Sequence, residues 1–297
     1  MQKLFVLLLL QSIIVLASPL SVISNNFLHL VEAQPVSGTD NNSNNVTYLM
    51  KSNTENLPVP LENKTVTYFQ NTSGYIAYPK LSIIENNISS NKENKLPGVV
   101  MIHENKGLND HIKNMANLLA KEGFVVLAVD LFNGQVTTDG DIASKLAQMV
   151  RDNQDVAISN LKSAVAYISS LPNVNPEKIA SIGWCFGGQQ SLQLALNSEE
   201  HPLSATVIYY GRLVTDSQQL SKIQWPILGI FGDQDKSIPV DIVKQFEESL
   251  AVNGIENEIY IYKQVGHAFA NPSGQNYAPD ETQDAWKKTI SFLKKYL

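Results

Sequence analysis

The segment that decides the fold of this chain covers residues 181–188 and reads Ser-Ile-Gly-Trp-Cys-Phe-Gly-Gly. An apolar run stops there at a small residue, and a cysteine then stands between two bulky residues. Two glycines separate this cysteine from the helix-prone segment 189–196. The order predicts a strand, a sharp turn and a helix. Glycines suit such a turn because larger side chains would collide with the neighbouring strand and helix.

The spacing Gly183-x-Cys185-x-Gly187 matches the nucleophile elbow of α/β-hydrolases, with cysteine at the position of the usual serine. Such a turn raises the thiol above the sheet at a helix N-terminus, where backbone N–H groups favour the thiolate. A lone cysteine, however, is usually a buried structural residue. The segment alone therefore leaves two interpretations of Cys185, a nucleophile or a packing residue.

Composition predicts one catalytic domain. The 297 residues are 43% hydrophobic, which is enough for one large core. The net charge of −6 is spread along the chain, which argues against nucleic-acid binding. A single cysteine excludes an intramolecular disulfide, and no cysteine–histidine cluster indicates zinc. We expect neither a metal nor a cofactor, and we expect a monomer.

The N-terminal residues predict export. Lys3 precedes an apolar run over residues 5–17, as in the hydrophobic region of a secretory signal peptide. Cleavage could follow Ala17 or Ala33, whereas the apolar residues that continue beyond the run would suit an uncleaved anchor. We predict that residues 1–33 are a signal peptide or an N-terminal membrane anchor. The protein would then be secreted, or tethered to the outer face of the cell membrane.

Residues 34–57 are rich in Asn, Ser and Thr and predict a disordered linker. Sequons of the form Asn-x-Ser/Thr occur in and beyond this linker. They begin at Asn41, Asn45, Asn63, Asn71 and Asn87. Asparagine-rich composition produces such triplets by chance, but a cluster beside an export signal is also typical of a glycosylated, exposed segment.

Residues 58–297 form the predicted folded domain. Strand patterns alternate with helical periodicity, which implies right-handed βαβ crossovers. The predicted fold class is therefore α/β, with a mostly parallel central sheet flanked by helices on both faces. Beside the elbow, the strands cover 65–69, 75–79, 97–103, 124–129, 205–210, 227–231 and 258–262, and helical periodicity covers 141–170, 240–252 and 281–296.

Functional residues in such sheets lie at the carboxyl ends of the strands. Asp233 and Asp235 follow the strand 227–231, and His267 follows the strand 258–262. Cysteine, acid and histidine thus occur in the order that α/β-hydrolases require. We predict His267 as the base, although a solvated loop histidine is the simpler alternative. Asp235 is the preferred acid because it lies further along its loop, whereas Asp233 suits hydrogen bonding to turn amides.

A third strand end carries the sequence His-Glu-Asn from residue 103. This fold places one oxyanion donor there, and the other is the backbone N–H that follows the nucleophile. We assign the two donors to Asn105 and Phe186. Glu104 would project into the pocket near Cys185, although an acidic residue in a turn before a helix is an equally simple interpretation.

Four segments together resemble the dienelactone hydrolase family from about residue 60 to the C-terminus. They are His-Glu-Asn-Lys-Gly-Leu-Asn (103–109), Gly-Trp-Cys-Phe-Gly-Gly (183–188), Gly-Asp-Gln-Asp-x-x-Ile-Pro (232–239) and Gly-His-Ala-Phe-Ala-Asn-Pro (266–272). The resemblance implies the α/β-hydrolase fold, with Cys185 as nucleophile, His267 as base and Asp235 as its orienting carboxylate. It also implies that Glu104 is the pocket glutamate that interacts with the resting thiol.

The chain departs from this family at two positions. The best-studied members hold the substrate carboxylate with two arginines, and the matching positions here are Gly134 and Asn271. The resemblance therefore leaves specificity for a carboxylated lactone open. We predict that Tyr210 and Arg212 belong to the substrate-binding set, with Arg212 as a replacement cation. An exposed surface arginine is the alternative.

The predicted reaction is hydrolysis of a small-molecule lactone or activated ester through a thioester acyl-enzyme. Because thiolate leaves more readily than alkoxide, esters with a stabilised leaving oxygen should react well and plain alkyl esters poorly. A broad carboxylesterase or thioesterase of the same fold is the alternative. A non-catalytic binding module at the cell surface is less favoured, because nucleophile, acid and base are all present.

Overall fold

Eight strands form one sheet in the computed structural model, which describes residues 60–80 and 95–297. The strands are β1 (Leu61–Phe69), β2 (Thr72–Pro79), β3 (Leu96–Ile102), β4 (Val125–Val129), β5 (Val174–Trp184), β6 (Ala205–Tyr209), β7 (Ile227–Gly232) and β8 (Asn257–Tyr262). The predicted leader, the predicted linker and the sequons at Asn41, Asn45 and Asn87 lie outside the described residues.

The strand order is β1-β2-β4-β3-β5-β6-β7-β8. β1 and β2 pair antiparallel, β2 also runs antiparallel to β4, and the strands from β3 to β8 are parallel. The predicted fold class, a mostly parallel sheet flanked by helices, is confirmed. Parallel pairing brings the carboxyl ends of β3, β5, β7 and β8 to one edge of the sheet, where α/β folds bind their ligands.

Helices cover both faces of the sheet. They are α1 (Asp110–Lys121), α2 (Gly140–Asp152), α3 (Gln154–Ser169), α4 (Phe186–Leu196), α5 (Ser217–Leu220), α6 (Val240–Val252) and α7 (Pro279–Tyr296). The strand side chains divide between the faces by the alternation of a strand. In β3, Val100 and Ile102 belong to the core layer that also contains residues of α3 to α6, whereas Val99 and Met101 belong to the opposite layer, with residues of α1 and α7.

The helical periodicity over residues 141–170 corresponds to two helices, α2 and α3, and not to one continuous helix. Asn153 leaves the helical region, with φ −120° and ψ 46°, and its side-chain amide donates to the Met149 carbonyl. This break turns α2 away from the sheet. Leu146 and Ala147 of α2 then pack against Phe186 at the carboxyl edge. α2 therefore covers the region where the predicted site residues converge.

No helix among the described residues is both long enough and apolar enough to cross a membrane.

Candidate active site

Cys185 occupies a strained turn between β5 and α4. Its φ of 54° and ψ of −113° lie in a region that residues with a side chain rarely adopt. The Cys185 N–H donates to the carbonyl of Tyr209 on the adjacent strand β6, at 2.9 Å. Hydrogen bonding to β6 fixes the turn, so the thiol stands at the carboxyl edge of the sheet.

Glycines beside the cysteine are required by close backbone contacts. A Cβ atom on Gly183 would lie 2.1 Å from the Gly187 carbonyl oxygen. A Cβ atom on Gly187 would lie 2.3 Å from the carbonyl oxygen of Ile102 in β3. Such distances are far inside van der Waals contact, so any larger residue would push α4 away from the strands. The glycine spacing of the elbow thus has a steric cause.

The structure brings Cys185, His267 and Asp235 together. His267 Nε2 lies 3.0 Å from Cys185 Sγ, and His267 Nδ1 lies 2.7 Å from Asp235 Oδ2. The three residues come from the elbow, the loop after β8 and the loop after β7. Both ring nitrogens are engaged, so the imidazole is aimed at the sulfur.

Asp235, not Asp233, is the carboxylate at His267. The Asp235 side chain is buried, and its Oδ1 accepts hydrogen bonds from the N–H groups of Ser237 and Ile238 at 2.8 and 3.1 Å. These bonds leave Oδ2 for the imidazole. Asp233 instead accepts from the N–H of Gln264 at 2.7 Å, as expected for a residue that closes a turn.

His267 is held as a strong base by its neighbours. Burial on its own lowers the pKa of His267, but the hydrogen bonds to Asp235 and Cys185, together with the negative charge there, raise the pKa to about 10. An imidazolium at neutral pH stabilises negative charge on the sulfur 3.0 Å away. The ring therefore lies between the sulfur and the Asp235 carboxylate, where it can exchange a proton with the thiol.

A cavity of about 290 Å³ opens at the thiol. Asn105 and Phe186 contribute to its wall, and neither backbone N–H donates a hydrogen bond to another described residue. Two free amides beside a thiol form the arrangement of an oxyanion hole. The lining comprises Asn105, Ser144, Ala147, Arg151, Cys185, Phe186, Gln189, Tyr210, Arg212, Ser237, Ile238 and His267.

The sequence model of the dienelactone hydrolase family matches residues 84–297, most of the chain. The chain belongs to the dienelactone hydrolase family. It is therefore a hydrolase of ester bonds, of the carboxymethylenebutenolidase kind.

Individual proteins agree with this membership. Protein usf of Aquifex pyrophilus is 31% identical over 229 residues, which are 75% of this chain and 93% of that protein. A Methylorubrum extorquens protein named "Putative carboxymethylenebutenolidase" is 28% identical over 212 residues, 67% of this chain and 72% of its own. The dienelactone hydrolase-like promiscuous phosphotriesterase P91 from metagenomic libraries shares the fold, with a TM-score of 0.69, 23% identity, and coverage of 80% and 98% of the two chains.

Glu104 differs from what the resemblance to other dienelactone hydrolases implies. Its buried carboxylate accepts a hydrogen bond from the side-chain amide of Asn271, whereas the thiol of Cys185 bonds to His267. No hydrogen bond joins Glu104 to Cys185 in the described part of the chain. Burial raises the pKa of Glu104 to about 7, although the Asn271 hydrogen bond and nearby positive charges lower it in part.

Tyr210 lies beside this buried carboxyl. Its side chain is fully buried, its backbone φ is 35°, and its hydroxyl interacts with the neighbouring carboxyl of Glu104. Burial and the neighbouring charges of Glu104 and Cys185 raise the pKa of the Tyr210 hydroxyl well above its ordinary value. The hydroxyl therefore stays protonated.

Arg151 is the wall residue that the sequence did not reveal. It lies in the last turn of α2, half-buried, and lines the cavity with Arg212. No motif marks it, because its place depends on the break at Asn153 that turns α2 over the site. Arg212, which the sequence did indicate, is exposed and also lines the cavity.

No group of three or more His, Cys, Asp or Glu side chains is arranged to hold a metal ion within residues 60–80 and 95–297.

Proposed function

We propose that this hydrolase cleaves lactones and activated esters with Cys185 as nucleophile, His267 as general base and acid, and Asp235 as the orienting carboxylate. The continuous chain of contacts from sulfur to carboxylate, 3.0 Å and then 2.7 Å, is the observation that carries the proposal. A nucleophile, a base and an orienting acid in this geometry perform acyl transfer on several unrelated folds.

In the first half-reaction the Cys185 thiolate adds to the carbonyl carbon, and the carbonyl oxygen becomes an oxyanion. The free N–H groups of Asn105 and Phe186 stabilise that oxyanion. The C–O bond then breaks, and the leaving oxygen takes the proton of the His267 imidazolium. A thioester on Cys185 remains.

In the second half-reaction His267 removes a proton from water, and the resulting hydroxide attacks the thioester carbonyl. The second tetrahedral intermediate expels the thiolate, which pairs again with the imidazolium. The products are a carboxylic acid and an alcohol, or one hydroxy acid or oxo acid from a lactone. No external reagent other than water is consumed.

The nucleophile limits the substrates. A tetrahedral adduct of sulfur can expel either the thiolate or the oxygen leaving group, and the thiolate leaves more readily than a simple alkoxide. Enol lactones and aryl esters have stabilised leaving oxygens, so their tetrahedral adducts expel that oxygen and form the thioester. The adducts of simple alkyl esters instead expel the thiolate and regenerate the substrate.

Two cations in the cavity favour a substrate with an anionic group. Arg151 donates through Nε to Gln148 Oε1 at 3.1 Å, and neither Arg151 nor Arg212 forms an ion pair with a described carboxylate. Burial and the charge of Arg212 lower the pKa of Arg151, against the raising effects of Asp152 and Cys185. A bound anion would reduce the electrostatic repulsion between these two guanidinium groups.

We also propose that the protein is exported, on the basis of Lys3 and the apolar run that follows it. Fractionation of expressing cells tests this. Enzyme found in the medium or on the outer face of the cell membrane would support export, and enzyme confined to the cytosol would contradict it.

The decisive experiment compares full-length protein with its Cys185→Ala variant on an enol lactone, a 4-nitrophenyl ester and a matched ethyl ester. We expect turnover of the first two, little turnover of the third, and a loss of at least about 10³-fold in kcat/KM for the variant. Acylated Cys185, detected by mass spectrometry after rapid acid quench, identifies the thioester. A variant with wild-type activity would disprove the mechanism.

A further inference from the structure

His103 is buried at the carboxyl end of β3 and does not line the cavity. Its exposed fraction is 0%, and its ring packs between Phe132 and Phe186, with centroid distances of 4.6 and 5.7 Å. The proposed mechanism uses Asn105, two positions further along the chain, and leaves His103 without a role. Its two ring nitrogens are nevertheless both bonded to backbone groups.

The hydrogen bonds of His103 define its tautomer. Nε2 lies 3.1 Å from the N–H of Leu131, which can only donate, so Nε2 is the acceptor. Burial lowers the pKa of His103, against the raising effects of its bond to Glu104 and the charge of Asp130, so the ring is neutral. The single ring proton is therefore on Nδ1. It points at the carbonyl oxygen of Glu104, 2.6 Å away.

That carbonyl belongs to the same peptide unit as the N–H of Asn105. In a trans peptide the C=O and the following N–H point in opposite directions within one plane. Whatever fixes the direction of the Glu104 carbonyl therefore also fixes the direction of the Asn105 N–H. The Asn105 N–H has no partner among the described residues, and Asn105 lines the cavity beside Cys185.

The ring of His103 also contacts the residue that supplies the other free amide. The rings of His103 and Phe186 stack with an interplanar angle of 24°. The β3 end is pressed against the elbow as well, since a Cβ on Gly187 would lie 2.5 Å from the His103 carbonyl oxygen. His103 is thus bonded to the peptide of one donor and packed on the side chain of the other.

We propose that His103 is the positioning residue of the oxyanion hole, because its Nδ1–H holds the Glu104–Asn105 peptide so that the Asn105 N–H faces the substrate oxyanion. Gly107 assists with a longer hydrogen bond to the same carbonyl, at 3.3 Å. The inference rests on the proposed function, in which an oxyanion forms. It assigns His103 to stabilisation of that charge rather than to activation of the thiol.

Two variants of similar shape to each other, His103→Asn and His103→Leu, test the hydrogen bond from position 103 to the Glu104 carbonyl. Asn and Leu have the same branching, and both lose the acceptor for the Leu131 N–H. Only Asn can place an N–H near the former Nδ1 position. His103→Asn and His103→Leu therefore differ in the donor to the Glu104 carbonyl and share every other loss.

Two reactions of the full-length protein separate oxyanion stabilisation from thiol activation. Hydrolysis of a 4-nitrophenyl ester needs both, whereas alkylation of Cys185 by iodoacetamide is a displacement at carbon that forms no oxyanion. We expect kcat of His103→Leu to fall about 100-fold below that of His103→Asn, the loss typical of one oxyanion donor, with KM little changed. Alkylation rates of the two variants should agree within about twofold, because the thiol and His267 are untouched.

Affinity for a trifluoromethyl ketone, which forms a hemithioketal oxyanion on Cys185, should fall in parallel with kcat. Equal kcat values for the two variants would overturn the proposal, as would an alkylation rate that falls with turnover in His103→Leu. If the leucine variant does not fold, His103→Asn decides alone: it must keep at least about a tenth of wild-type kcat, and a larger loss overturns the proposal. Failure of the proposed function would appear differently, as hydrolysis that survives Cys185→Ala.

Discussion

The side-chain amide of Asn271 donates to the buried carboxyl of Glu104, 167 positions earlier in the chain. An amide is neutral, so it satisfies one oxygen without supplying the positive charge of an arginine. Glu104 consequently keeps a pKa of about 7, raised from 4.5 mainly by burial. The buried acid changes its charge in the neutral range.

Stability should therefore depend on pH through Glu104. The native pKa exceeds the unfolded value, so the native state binds more protons between the two, and this contribution to stability is lost as pH rises from about 4.5 to about 7. Glu104→Gln removes the dependence. Relative to wild type, its free energy of unfolding should rise between pH 5 and pH 8, by at most about 3 kcal/mol. Urea denaturation at both pH values measures this. The exposed Glu247→Gln is the control, and a wild-type-like pH profile for Glu104→Gln would contradict the prediction.

Substitution of Asp235 should lower kcat/KM far more than substitution of Asp233, although both residues follow β7. Asp235→Asn removes the charge that stabilises the His267 imidazolium, so kcat/KM should fall by about 10³- to 10⁴-fold, as in other triads. NMR of the imidazole should show its pKa lowered from about 10. Asp233→Asn, which changes only a turn contact, should stay within about threefold of wild type. Similar losses in both variants would refute the assignment of Asp235.

The arginine pair should control selectivity for charge. We compare the 4-nitrophenyl monoester of glutaric acid, an anion, with neutral 4-nitrophenyl valerate of similar length. Arg151→Gln and Arg212→Gln should each lower kcat/KM about 10-fold or more for the anion, the usual range for a charged hydrogen bond, and hardly alter the neutral ester. Lys145→Gln, an exposed change on the same helix as Arg151, is the control. Equal losses on both esters would refute anion binding.

Two glycines offer a matched test of the elbow. Gly187→Ala places a methyl group 2.3 Å from the Ile102 carbonyl oxygen and should destabilise the protein by about 2 kcal/mol or more, with loss of activity. Gly140→Ala, in the first turn of α2, meets no atom within 4 Å and should be neutral or stabilising by up to about 1 kcal/mol. Thermal denaturation compares them. A Gly187→Ala variant with wild-type stability would show that the elbow is less crowded than described.

The sequence predicted the elements whose causes are local. The glycine spacing around Cys185 and the alternation of strand and helix patterns are local properties of the chain, and the alternation was sufficient for the fold class. The break at Asn153 escaped prediction because helical periodicity continues through it and neither glycine nor proline marks it. Arg151 escaped for the same reason.

Other features depend on contacts between distant segments. The preference of Glu104 for Asn271 over the thiol could not be deduced from either motif alone, since both side chains had to be placed first. The same holds for the peptide orientation set by His103, whose second ring nitrogen binds Leu131 in another loop.

The split between α2 and α3 has a consequence for how the cavity could be altered. Cys185, His267 and Asp235 are held at strand ends by backbone geometry, whereas Ser144, Ala147 and Arg151 reach the cavity from one short helix. Mutations in that helix can retune which acyl or alcohol groups fit without disturbing bond cleavage. Substitutions on this helix would reshape one side of the cavity and leave the three strand-end residues in place.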